Sequence, residues 1–388
     1  MLKMKQELIE CTYTKKEKKH NGIISIWKFL FAIMVVLRHI EASNTYFENY
    51  KYTFIAGSIA VDFFFIVSGY LMTKKAMSKD VKKEELGTET YDYIAKKVKA
   101  FFPYVLTAII ITIITKIFMS HKISTPNLVN YIFDIMMIPM LLIRHARILG
   151  IEWYISAMLL GMMILYPLIL KHKKNFLYII APLVSLFILG FISRMDGSLA
   201  GVDIYYFGYL PKGLIRAAAV LCLGSITYLI TEKITQYDYT FFAKIILTII
   251  EVMGLASIFY IVNVPGAHEK YGFIMLMIFV ISIAVAFSEK SLSFNICNNK
   301  LFYYLEKISL PVYLNHMWVI DLLNFMLGKQ EVNYYVMSLI VICFTVVASI
   351  ILTYMIEKIQ NSNKLKQMIR NIFLKTKLGE DKNVEEQA

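Results

Sequence analysis

Apolar runs of roughly 20 residues, separated by short polar or lysine-bearing stretches, recur along nearly the whole chain. An α-helix needs about that length to cross the hydrocarbon of a bilayer. A transmembrane barrel would instead show shorter segments of alternating polarity, and this sequence does not. The pattern predicts an all-α, polytopic helical membrane protein with ten spans, at 22–42, 53–73, 101–120, 152–171, 175–193, 212–231, 243–263, 270–288, 306–327 and 333–356. No internal repeat, soluble domain or long linker breaks the pattern. One membrane domain, 22–356, is therefore expected between a basic tail at 1–21 and a second at 357–388.

The positions of the charges set the expected orientation. Lys3, Lys5, Lys15, Lys16, Lys18 and Lys19 precede the first span, and Lys74, Lys75, Lys79, Lys82, Lys83, Lys96, Lys97 and Lys99 follow the second. Lys171 to Lys174 and the tail after Lys358 continue the series, whereas the loops near 43–52, 264–269 and 328–332 carry few basic residues. Because cytoplasmic loops collect Lys and Arg, both termini are placed in the cytoplasm. The exception is 121–151, with Lys122, Arg144 and Arg147. Residues 127–143 are apolar enough to enter the membrane. A full crossing there would turn the Lys171–Lys174 cluster outward, so the segment is read as re-entrant or interfacial, with the full crossing as the alternative.

Composition agrees with a membrane protein: 58% of the 388 residues are hydrophobic and 18% charged, against about 25% charged in soluble domains. The net charge of +13 would suit nucleic acid, but its confinement to loops and tails argues for topology instead. The polar, lysine-rich first twenty residues do not read as a cleavable signal peptide. Cys11, Cys222, Cys297 and Cys343 have no disulfide or metal spacing and read as free thiols.

Against this background, ionisable groups inside spans stand out, because they cost several kcal/mol in lipid and usually face a cavity or a partner. Lys28 and His39 lie eleven positions apart in the first span, on one helical stripe about 16 Å long. Lys28 reads either as an interfacial snorkelling residue or as an anion contact. Arg38 lies off that stripe and suits the outer end of the span. Asp62 sits mid-membrane in Val61-Asp62-Phe63-Phe64-Phe65-Ile66-Val67-Ser68-Gly69-Tyr70. Paired with His39 it would make a general base and its orienting acid, or else a structural lock between two helices. Ser68 and Gly69 read as packing residues, with Ser68 also a candidate substrate contact. Lys96, Lys97 and Lys99 before Pro103 are topogenic charge or a phosphate-binding rim. Glu152 could meet a polar substrate, while position alone assigns Trp153 and Tyr154 to an aromatic belt. Tyr313 and His316, one turn apart beyond Pro311, line a cavity or form a packed pair.

The order and spacing of these segments resemble the membrane acyltransferase-3 family of bacterial O-acyltransferases. The matching stretches are Lys28 to His39, Val61 to Tyr70, Lys96 to Pro103, Trp153 to Ser156 and Ser309 to His316. The resemblance implies transfer of an acyl group, most often acetyl from acetyl-CoA as co-substrate, to a hydroxyl of an envelope or secreted glycan or its lipid-linked precursor. It implies no permanently bound cofactor and no metal. By the family pattern His39 is the catalytic histidine and Asp62 its support. Lys28, Lys96 and Lys99 address the donor or the inner mouth, and Ser68, Glu152, Trp153, Tyr313 and His316 line the substrate path. Lysines stand where the family has arginines at 28, 96 and 99, which keeps the charge but loses the bidentate fork. The implied location is a bacterial cytoplasmic membrane, with any completing partner a separate envelope-biosynthesis protein. A glycan-precursor transporter or flippase is the competing class; the absence of an inverted repeat weighs against it.

Overall fold

The computed structural model describes residues 21–43, 54, 56–119, 131–140, 148–328 and 332–362. The basic tail lysines up to Lys19, Cys11, Lys122, Arg144, Arg147 and the tail beyond 362 lie outside the described residues. Ten long helices occupy the ten predicted positions: α1 (Gly22–Ser43), α2 (Ala60–Met77), α3 (Leu86–Phe118), α4 (Trp153–Asn175), α5 (Ala181–Asp196), α6 (Lys212–Thr235), α7 (Phe241–Ile261), α8 (Ala267–Ser288), α10 (Lys300–Leu327) and α11 (Tyr334–Asn361), with a short α9 (Ser293–Cys297) between α8 and α10. A two-stranded antiparallel hairpin, β1 (Tyr205–Tyr206) and β2 (Leu210–Pro211), pairs Tyr205 with Pro211 and Tyr206 with Leu210 ahead of α6.

Seven helical stretches are long and apolar enough to cross a membrane, and one of them, Trp153–Asp196, holds both α4 and α5. The chain leaves helical geometry inside that stretch at Lys173 (φ 20°, ψ −93°). The two long helices outside the set are α2 and α10. Asp62, Lys74 and Lys75 charge the first, and Asn315, His316 and Asp321 lower the apolarity of the second. Both pack on neighbouring helices, α2 mainly against α6 and α4, and α10 against α1 and α11.

Small residues allow the closest approach. A Cβ on Gly69 of α2 would sit 2.2 Å from the Leu221 carbonyl oxygen of α6, and one on Gly224 would sit 2.4 Å from Ile66 O. The packing role expected of Gly69 is thus met, and Thr73 Oγ1 bonds Ser225 Oγ across the same seam at 2.7 Å. On the other side of α2, Phe31, Phe63, Phe259 and Phe279 build an aromatic core, with Phe31 and Phe63 centroids 4.6 Å apart.

Contacts between α1 and α10 also bear on the 127–143 segment. Lys28 meets Glu306 and, further along, His39 meets His316. The two helices therefore run parallel. With each long helix reversing the chain, parallel directions require that the segment between α3 and α4 return to the side it left. Within its described part, residues 131–135 are helical and the backbone then turns, with Met137 at φ 57°. Met140 N donates to Ser156 Oγ (3.0 Å), and Ile148 N donates to the buried Asp134 carboxylate (2.8 Å). The segment is docked on the start of α4 and does not form a spanning helix there.

Candidate active site

The polar residues of the spans gather on the inner faces of α1, α2, α4, α6 and α10. His39 is half-buried and His316 fully buried. His316 Nε2 lies 3.2 Å from His39 Nδ1, with ring centroids 4.9 Å apart. His316 Nδ1 is 2.7 Å from the Tyr313 carbonyl, and His39 Nδ1 is 2.8 Å from the Val35 carbonyl. A carbonyl only accepts, so each Nδ1 must carry a proton. Neutral His316 then presents a bare Nε2 to the Nδ1–H of His39, and His39 keeps its own Nε2 as the basic nitrogen. This tautomer follows from the hydrogen-bond partners.

The expected His39–Asp62 pair does not form. Both oxygens of the Asp62 carboxylate are taken by Arg216 of α6, with Nε to Oδ1 at 3.0 Å and Nη2 to Oδ2 at 2.5 Å. Arg216 also donates through Nη1 to Leu199 O (2.7 Å). The physical reason is geometric: a planar guanidinium satisfies both carboxylate oxygens at once, which one imidazole cannot do. Arg216 and Asp62 are each 0% exposed. Lys212, one turn earlier and also buried, binds Asp196 (2.8 Å) and the carbonyls of Ser198 and Ala200. Tyr206 of the hairpin donates to the same Asp196 carboxylate. Burial, reinforced by that carboxylate, holds the Tyr206 hydroxyl protonated well above its ordinary range. Lys212 and Arg216 therefore tie the 196–211 connection to the end of the bundle that holds His39.

Trp153 and Tyr154 depart from the aromatic-belt assignment, being 7% exposed each. Trp153 packs on Phe65 (6.0 Å) and Tyr154 on Phe65 (4.8 Å) and Tyr313 (5.7 Å). The start of α4 faces α2 and α10 rather than lipid, so its aromatic residues wall the interior. Ser68 stands beside the Tyr154 hydroxyl, and Tyr313 Oη donates to Ile151 O at 2.7 Å. Glu152, 1% exposed, stands close enough to Tyr313 to bear on its hydroxyl.

At the opposite end, Lys28 is ion-paired with Glu306, which also accepts from Ser25 Oγ at 3.0 Å. Of the three lysines in α3, Lys96 and Lys99 are exposed, while Lys97 is half-buried, stands over the Tyr93 ring at 5.8 Å and feels the Lys28 charge. Lys97, rather than Lys96 or Lys99, turns toward Lys28.

A family model described as an acyltransferase domain matches residues 21–358. The chain belongs to the acyltransferase-3 family. It is a multi-pass membrane acyltransferase, a transferase of groups other than aminoacyl. No curated protein and no solved structure matches the chain. Sequence reasoning passed over three residues that the acyltransferase uses in its interior: Arg216, Lys212 and Glu306. A signal for Arg216 was present, since a carboxylate in one span asks for a cation in another, and position 216 falls inside the predicted 212–231 span.

Proposed function

We propose that this acyltransferase moves a short acyl group, acetyl in the first instance, from cytosolic acyl-CoA to a hydroxyl of an envelope or secreted glycan or its lipid-linked precursor. The observation that carries the mechanism is the chain from the Tyr313 carbonyl through His316 to His39. It supports His39 Nε2 as the general base. Nε2 takes the proton of the acceptor hydroxyl while that oxygen attacks the thioester carbonyl. The tetrahedral adduct then collapses, the C–S bond breaks, and the CoA thiolate receives the proton from His39. The imidazolium formed in between shares its Nδ1–H between the Val35 carbonyl and His316 Nε2, charge-assisted contacts that strengthen as the charge develops.

Donor placement follows from charge. CoA phosphates suit the end that bears Lys28 and Lys97, with the exposed Lys96 and Lys99 as an outer rim. The roughly 16 Å from Lys28 to His39 along α1 is comparable to an extended pantetheine arm. Ser68, Glu152, Trp153 and Tyr313 wall the interior that the acyl group and acceptor share. Lysine-rich segments support a bacterial cytoplasmic membrane with both termini in the cytoplasm, where envelope-biosynthesis proteins are the natural partners.

Membranes holding wild type or His39→Ala at matched expression, fed radiolabelled acetyl-CoA, test the reading. Label should enter a glycan or lipid fraction with wild type only, the variant losing about 10²–10⁴ in rate. Full activity of a folded His39→Ala protein would overturn the mechanism.

A further inference from the structure

A second polar group lies at the same end of the bundle as His39 and has no place in the mechanism above. Helix α8 begins after Gly266 (φ 72°) and carries His268 in its first turn, 8% exposed. His268 Nε2 is 2.9 Å from Ser58 Oγ. Its Nδ1 is buried without a hydrogen-bond partner among the described residues. The 54–59 stretch that presents Ser58 is stapled to the approach to α8, through Ala56 N to Val262 O (3.2 Å) and Phe54 N to Asn263 Oδ1 (2.8 Å). Next to Ser58, a Cβ on Gly57 would lie 3.1 Å from Cβ of Arg38, the neighbour of His39 in α1. Ser58 thus joins His268 to the 54–59 stretch, and its neighbour Gly57 packs against Arg38 of α1. Arg38 and Ser58 are half-buried.

Two of the cations near His268, Arg216 and Lys212, are already paired with Asp62 and Asp196. Arg38, Arg216 and Lys212 all bear on His268, and the first turn of a 22-residue helix adds a positive end. Glu269 and Lys270 on the same turn are exposed. If the Ser58 hydroxyl donates to Nε2, Nδ1 carries the proton and is a donor in want of an acceptor. A buried donor in the first turn of a helix, where the positive end of the dipole lies, suits an anion.

We infer that Arg38, Ser58 and His268 form a subsite for an oxyanion borne by the acyl acceptor, a phosphate or carboxylate attached to its sugar. The subsite makes this an enzyme for acidic acceptors, held by their charge while a hydroxyl reaches His39. The inference rests on the base role given to His39. Its test reads binding, so that the two can fail separately.

Purified full-length protein in nanodiscs is titrated calorimetrically with glucose 1-phosphate, glucuronate and uncharged methyl glucoside. Wild type should bind at least one charged probe and not methyl glucoside. Loss of the buried donor should weaken binding about tenfold or more in His268→Phe. Ser58→Ala and Arg38→Gln, which remove less from the core, should weaken it in the same direction if His268→Phe does not fold. Competition by a polyprenyl phosphate doped into the nanodisc would assign the oxyanion to a lipid-linked acceptor, and its absence to a soluble one. Binding of neither charged probe by wild type, or equal binding by wild type and the folded variants, would overturn the subsite. In that case His39-dependent acetyl transfer would still stand.

Discussion

The two ends of the helix bundle each hold an ion pair, and the pairs differ in what surrounds them. At the His39 end, Asp62 and Arg216 are both fully buried, and the guanidinium gives a third donor to Leu199 O. At the other end, the side chains of Lys28 and Glu306 are 17% and 34% exposed. A buried pair locks its helices, because separating it strands a charge in a low-dielectric interior. A half-exposed pair is weak and exchangeable, because water screens it and can replace either partner. The first is thus suited to hold a site in shape and the second to release a cation to an arriving phosphate. Under the proposed mechanism the difference gives Asp62 a positioning role and leaves acid–base work to the histidines.

The largest way to break this contrast is Arg216→Met. The stranded Asp62 should cost about 3–5 kcal/mol, read as a large drop in the thermal midpoint of the detergent-solubilised protein. Adding Asp62→Leu should recover most of it, since an apolar replacement of a whole buried pair is often neutral. A single variant as stable as wild type would remove Asp62–Arg216 as a lock.

Next in size is the histidine pair. Leucine at His316 removes one of the two acceptors of His39 Nδ1–H and leaves only the Val35 carbonyl, whereas glutamine keeps an oxygen near the Nε2 position. A hydrogen bond to a charged group is worth about 1.5–3 kcal/mol, so His316→Leu should slow acetyl transfer about ten- to a hundredfold and His316→Gln far less. If both variants slow equally while staying folded, His316 acts as bulk rather than as an orienting group.

The smallest effect is expected at Lys28→Ala. Stability should change by about 1 kcal/mol or less, as for exposed pairs. The KM for acetyl-CoA should rise severalfold with kcat little changed, and the difference should shrink in high salt as screening removes the charge term. A salt-independent loss of kcat would place Lys28 in the lock class instead.

The number and positions of the long helices were legible in the sequence, because apolar length is a local property that the bilayer reads directly. Gly69 was legible for a similar reason: within a span, a small residue marks close helix approach. Partner choice was not legible. Asp62, His39, Arg216 and His316 lie on four different helices, and nothing local decides which carboxylate meets which cation. The aromatic residues Trp153 and Tyr154 show the same limit, since a position near a helix end suits either a lipid belt or an interior wall.

The sequence by itself determined that this chain is a bundle of membrane helices, and which of them carry ionisable groups. Its spaced motifs also resembled the family to which the chain belongs. Only the tertiary structure decided that Asp62 meets Arg216, that His316 meets His39, and that Lys97 rather than Lys96 or Lys99 turns toward Lys28. The reason is physical. Burial of apolar length follows from the order of residues, but hydrogen-bond geometry between helices depends on register, crossing and distance, which exist only once the helices have packed.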